Sequence, residues 1–377
     1  MLSSQRHLFD IPKDIVYLNT AYMSPLLNSV VRAIDVGTRL KAQPWKLTIS
    51  NFYDDINKAR ALFANIVSSS ASSVAIIPSA SYGIETAAKN LSLSPLKSIV
   101  LLENQFPSHV YPWRRLAKKN NGLIKTIPAN GKEPLTSSIL NSIDEKCEIV
   151  ALPNVLWTTG QIIDLEKVRQ KCDLVNAALV LDLTQSAGAM AIDFNKIRPD
   201  FAVVANYKWM LGPYSTGFLY VDPKHHNGEP LEEGWVIRKD SRNFSNLIRY
   251  TDEYEPGAIR YDMGERANFA LLPGVISALE QLNAWGVNNI EHTLKNRNLS
   301  LVEKLANLGL NVVDSQNRAP HFLSIKLPKN VNPNLLKILE EKSIYISERA
   351  NSLRITPHLW NNDEDFDYFI SELSSIL

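Results

Sequence analysis

Val180–Met190 reads VLDLTQSAGAM, and Phe201–Val221 reads FAVVANYKWMLGPYSTGFLYV. Each stretch opens on an apolar run of strand length and then turns polar. Asp182 closes the first run, and Lys208 follows the second, twenty-six positions later. Lys208 sits between Tyr207 and Trp209 and just ahead of Leu211-Gly212-Pro213, poor surroundings for an ordinary solvated charge. Burial among such neighbours lowers a lysine's pKa and makes its amine nucleophilic. The residues allow two readings: an acid and a reactive amine at the ends of neighbouring strands, or a buried ion pair with no chemistry.

Outward from these runs, strands and amphipathic helices alternate from about residue 50 to 222. The predicted strands are Val74–Ile77, Ser98–Glu103, Leu123–Pro128, Glu148–Leu152, Leu179–Leu183, Phe201–Ala205 and Gly217–Val221, with helices at Ser81–Leu91, Val110–Asn120, Leu135–Ile143 and Leu165–Val175. This alternation predicts βαβ units and a mostly parallel seven-stranded sheet covered on both faces. Ligands of such sheets bind beyond the carboxyl ends of the strands. That rule gathers Ser79, Phe106, Asn154, Asp182 and Lys208 around one crevice. Residues 224–265 are irregular, and a long connection of this kind is usually functional. Helical patterns follow at Asn268–Trp285 and Asn289–Leu308. A smaller α/β pattern ends the chain: strands near His321–Leu327, Ile344–Ser347 and Ser352–Thr356, helices at Pro333–Lys342 and Asp363–Leu377. The domains are placed at 26–250 (large) and 251–377 (small).

Composition excludes several functions. The 377 residues carry 40 basic and 39 acidic side chains, a net charge of +1, which leaves no footprint for nucleic acid or an anionic membrane. Two cysteines, Cys147 and Cys172, are too few for a disulfide framework. The amino terminus lacks a signal-peptide core, and no apolar run reaches membrane-span length, so a cytoplasmic enzyme is expected. No metal site is expected.

Each candidate residue has a chemical rationale and a plainer alternative. Ser79-Ala80-Ser81 is a turn between a strand and a helix, and helix N-termini bind phosphate; such serines are also common caps. Phe106 could stack on a planar ring or lie in the core. Asn154 could donate to a ring oxygen or a substrate carboxylate, and Gln185 to a phenolate oxygen, although either could cap a strand end. Arg354, in NSLRITPHLW, could bind an amino acid's carboxylate bidentately or pair with a structural acid. An aspartate that keeps a pyridine nitrogen protonated, with a lysine that holds an aldehyde, is what pyridoxal 5′-phosphate requires.

Taken together, from YLNTAYMSP at Tyr17–Pro25 to LRITPHLWN at Leu353–Asn361, the chain resembles the class V aminotransferase family of fold-type-I pyridoxal phosphate enzymes. That family includes cysteine desulfurases, kynureninases, phosphoserine aminotransferases and isopenicillin-N-epimerase-like proteins. The resemblance implies a homodimer with active sites at the interface, and an amino-terminal segment (1–25) packed with the small domain. It implies Lys208 as the Schiff-base lysine, Asp182 at the pyridine nitrogen, Gln185 beside the ring oxygen, and Ser79, Ala80 and Ser81 at the phosphate. Asn154 matches an asparagine near the ring, and Arg354 the arginine for the substrate carboxylate. Phe106, Tyr207 (a phosphate contact) and Thr159-Gly160-Gln161 are similar to the kynureninase arrangement, whereas Gln185 stands where kynureninases usually have histidine.

Desulfurases need a cysteine shortly before that arginine; ISERANSLR has none. The family's Gly-Thr phosphate contact falls at Gly264-Glu265, for which a backbone N–H or Arg266 is the candidate substitute. The resemblance therefore implies an aminotransferase. The alternatives are a kynureninase-like hydrolase or other Cβ-cleaving lyase, an amino-acid epimerase, or a catalytically silent cofactor-binding protein. Trp157, Tyr22, Met23, His109 and Trp113 are candidates for the substrate side-chain pocket.

Overall fold

The computed structural model describes residues 1–129, 133–327 and 331–377. In chain order the elements are β1 (Val16–Tyr17), α1 (Asn28–Lys41), α2 (Asp54–Ile66), β2 (Val74–Ile77), α3 (Ala80–Asn90), β3 (Ser98–Leu102), α4 (Tyr111–Lys119), β4 (Leu123–Ile127), α5 (Leu135–Ser142), β5 (Cys147–Pro153), α6 (Leu165–Val175), β6 (Ala178–Asp182), α7 (Phe194–Ile197), β7 (Phe201–Ala205) and β8 (Gly217–Val221). The second half adds α8 (Leu272–Trp285), α9 (Val287–Asn307), β9 (Leu323–Lys326), α10 (Leu335–Glu341), β10 (Ile344–Tyr345), β11 (Ser347–Arg349), β12 (Ser352–Ile355) and α11 (Asp363–Ile376).

Strands β2 to β8 form one seven-stranded sheet in the order β2-β8-β7-β6-β5-β3-β4. Pairing is parallel from β7 through β4, and β8 runs antiparallel to both its neighbours. Side-chain alternation divides the strands between two cores. Ile76, Val100, Leu152, Leu181 and Val204 face one, shared with α1, α2, α6 and α8; Ile77, Leu101, Ala151, Val180 and Val203 face the other, beneath α3 and α4. Burial on both faces explains why these strands read as continuous apolar runs. Helices α1 and α2 were not foreseen: α1 leaves Val31 and Val36 exposed, so its apolar stripe is blurred.

The amino-terminal segment pairs with the far end of the chain. β1 runs parallel to β10, Asn19 bridges to Thr356, and Arg6 pairs with Asp365. A third core joins Val16 and Leu18 to Leu323, Leu353, Ile355 and Phe369. This small-domain core takes up α9 from Leu301 onward, whereas α8 and the first turns of α9, to Leu294, belong to the large-domain core. Helix α9 thus contributes to both cores, and Phe322 and Trp360 also pack with the first. No helix among the described residues is long and apolar enough to cross a membrane.

Candidate active site

Register sets the site. Asp182 lies opposite Pro153 on β5 and Val203 on β7, so the carboxyl ends of three parallel strands share one edge. β2 ends beside them, because Ile77 and Ala205 both pair with Gly217 of β8. A cavity of about 240 Å³ opens there. Its walls include Ser79, Ala80, Ser81, Phe106, Asp182, Gln185, Tyr207 and Lys208.

Lys208 is 7% exposed and makes no ion pair among the described residues, which removes the reading of a structural Asp182–Lys208 bridge. Its amine lies 5.6 Å from the Phe106 ring centre and 5.4 Å from that of Tyr207. Burial pulls its pKa down from 10.5 to about 8; Asp182 opposes the shift, and Arg354 and Arg349 add to it. The sharp turn after the lysine fits because Gly188 lies against it: a Cβ there would meet the carbonyl oxygen of Trp209 at 2.4 Å. Asp182, also buried, is fixed by the backbone N–H of Thr184 donating to Oδ1 at 3.0 Å.

The phosphate-type turn has the geometry of an open helix end. Ser79 caps α3 by accepting from the N–H of Tyr82, and its own hydroxyl hydrogen remains free to donate. The N–H groups of Ala80 and Ser81, in the first turn of α3, point to no hydrogen-bond partner among the described residues. Ser81 Oγ donates to Ser108 Oγ at 2.8 Å. Tyr207, whose hydroxyl burial pushes up to about 12, stays protonated and can donate. An unpaired buried amine, a fixed carboxylate, an aromatic face and a free helix end fit a phosphorylated pyridine aldehyde.

Gln185 reaches the cavity but is also tethered. Its Nε2 donates to Ala21 O at 3.0 Å, and its Oε1 accepts from Trp209 Nε1 at 2.9 Å. One amide hydrogen is left for a ring oxygen. His321 of the small domain donates from Nε2 to the Gln185 carbonyl at 2.7 Å, tying the two domains behind the lysine.

Two expectations need correction. Asn154 is not on the cavity wall: its Nδ2 turns to the carbonyl of Ile163 at 3.4 Å, because the strand end folds back on that residue. Arg266 is buried in an ion cluster with Asp262 and Arg60, so its guanidinium is committed inside the subunit. Thr159-Gly160-Gln161 forms a tight turn in which the Thr159 and Gln161 side chains bond to each other and Gly160 lies against Phe322.

Arg354 stands just behind the wall, 1% exposed. It donates from Nε and Nη2 to Ser347 Oγ and from Nη1 to the carbonyl of Trp157, a wall residue. No carboxylate is among its partners, so it carries the unanswered charge that a substrate carboxylate would satisfy. Of the side-chain pocket candidates, Trp157 and His109 line the cavity, Trp113 is core, and Tyr22 is exposed. Trp157 stands edge-on to Phe106 at 5.5 Å. His109 is fully buried; its Nδ1 accepts from Trp113 Nε1 at 3.2 Å, and burial lowers its pKa to about 4. Tyr214, Ser215 and Thr216, on the loop before β8, also line the cavity; no sequence motif singled them out.

Comparison with known proteins gives a consistent picture. The family model described as aminotransferase class-V matches residues 16–353. An uncharacterised aminotransferase of Bacillus subtilis is 25% identical over 98% of this chain and 96% of its own. A kynureninase of Geobacillus thermodenitrificans is 26% identical over 83% of this chain and 76% of its own. Among solved structures, a mutant of C-DES with glycine covalently linked to its PLP cofactor superposes with a TM-score of 0.90, at 18% identity, over the whole of both chains.

Proposed function

The chain belongs to the class V aminotransferase family of pyridoxal phosphate-dependent enzymes, and from that premise we propose that its reaction is the transamination of an amino acid. The cofactor is pyridoxal 5′-phosphate, which when bound supplies the electron sink for a carbanion at the substrate's Cα. Lys208 would hold the cofactor's aldehyde carbon and, once released, carry the α-proton on Nζ as general base. A pKa of about 8 leaves a far larger share of that amine neutral at physiological pH than an ordinary lysine has. Asp182 would keep the pyridine nitrogen charged, and Gln185 would donate to the ring oxygen. The end of α3, with Ser79, Ala80 and Ser81, would hold the phosphate, joined by the Tyr207 hydroxyl. Phe106 would cover one ring face, and Arg354 would bind the substrate's carboxylate. Exposed Val31, Val36 and Trp45 on and after α1 are consistent with a homodimer.

One observation carries the choice of reaction: among the described residues, the cavity wall offers a single amine and no thiol. Cys147 and Cys172 are buried, with burial as the main cause pushing each thiol up to about 12. The turn before Arg354, where a desulfurase would need its cysteine, holds only Ala350 and Asn351. Proton transfer by Lys208 suffices for transamination. A Cβ-cleaving branch is the second reading, favoured by Tyr207 and Tyr214, whose rings meet at 4.7 Å and could present a hydroxyl to a leaving group.

Single-turnover product analysis separates the two. With cofactor-loaded protein, one amino acid and no keto acid, transamination yields at most one keto acid per site and stops. Continued product release without an acceptor would reject it in favour of cleavage.

A further inference from the structure

Strands β11 and β12 bring a second arginine beside Arg354. The pairs Ser347–Arg354 and Arg349–Ser352 put both arginines on one face of the hairpin, as diagonal neighbours. Leu353, on the opposite face, lies in the small-domain core. The arginine face therefore turns toward Trp157, a wall residue to which Arg354 is hydrogen-bonded, with both guanidinium groups behind the wall and not on it. The connecting residues Ala350 and Asn351 have φ of 50° and 60°, the left-handed region that a two-residue hairpin turn requires. Alanine is poorly suited to that region, so strand pairing holds the turn and fixes where Arg349 points.

Neither guanidinium is answered by an acid among the described residues. Arg349, half-buried, donates Nη1 to the carbonyl of Glu348 at 2.6 Å, and Arg354 is bound only to a hydroxyl and a carbonyl. Both lower the pKa of Lys208, so their field reaches the reacting amine. Two like charges sharing a partly desolvated face are costly unless an anion joins them. One carboxylate satisfies one arginine; the second calls for another.

We propose that Arg349 and Arg354 form a two-point seat for an amino acid with an acidic side chain, Arg354 taking the α-carboxylate and Arg349 the side-chain carboxylate. The proposal rests on the pyridoxal phosphate reading above.

The test uses unreactive acids on cofactor-loaded protein, with binding measured by calorimetry. Glutarate should bind about 10- to 100-fold more tightly than butyrate, the value of a charge-assisted hydrogen-bonded pair. Arg349→Gln should erase that preference while butyrate still binds and the cofactor still forms its visible band, and Arg349→Lys should restore part of the preference. With substrates, Arg349→Gln should raise KM for glutamate or aspartate by a similar factor and spare alanine. Equal affinity of glutarate and butyrate in the wild type, or a preference that survives Arg349→Gln, would overturn the seat. Absence of a cofactor band in the wild type would instead overturn the parent reading, and the seat with it.

Discussion

Lys208→Ala is expected to lower turnover by about ten-thousand-fold or more, with the protein still folded and still able to bind cofactor non-covalently. The size follows from losing two functions in one group: the covalent tether and the general base, where the base alone is worth about 100- to 10,000-fold. Folding should survive because Lys208 has no ion-pair partner to orphan, and removing a desolvated amine relieves a burial cost. Had Asp182 and Lys208 formed a structural bridge, breaking it would cost about 3–5 kcal/mol and lower the melting temperature by many degrees. Steady-state turnover and thermal unfolding on the same preparation distinguish the outcomes. A stable, inactive variant supports the account; a markedly destabilised one returns Lys208 to a packing role.

Asp182→Asn should be the next most damaging change, at about a thousand-fold in kcat with little loss of stability. Asparagine keeps an oxygen to accept the Thr184 N–H that now goes to Oδ1, so the local fold is retained. What disappears is the negative charge proposed to face the pyridine nitrogen, in a buried site where such preorganised charge is worth about 100- to 1,000-fold or more. The measurement is kcat alongside the cofactor's absorbance. Unaltered kcat would show that the charge at this strand end does no chemistry.

All seven runs formed strands, most of them legible because burial on both faces demands apolar residues; β4, at the sheet edge, is only partly buried, and the reversal of β8 and the strand order went unread. The rule that ligands gather beyond strand carboxyl ends also located Ser79, Phe106, Asp182 and Lys208, since a strand end fixes its next residue in space. It failed for Asn154, one residue past β5, where the amide turns to the backbone instead of the cavity. His109 and Trp157 had been flagged as pocket candidates, yet nothing in their sequence separated them from Trp113, which went to the core. Arg349 was unread for another reason. Its position depends on a hairpin register, set by two left-handed residues, that no local pattern announces. The passage of α9 from one core to the other was hidden likewise, because it is one continuous helix whose successive turns serve different cores.

The central claim is that Lys208 carries the cofactor, and the most direct measurement is borohydride reduction of the loaded protein followed by peptide mapping. The predicted result is one pyridoxyl group per chain on the peptide containing Tyr207-Lys208-Trp209. Its formation from apoprotein should be faster at pH 9 than at pH 7, because the neutral amine is the reactive form and its pKa lies at about 8. A label on any other lysine, or none after reduction, would contradict the account.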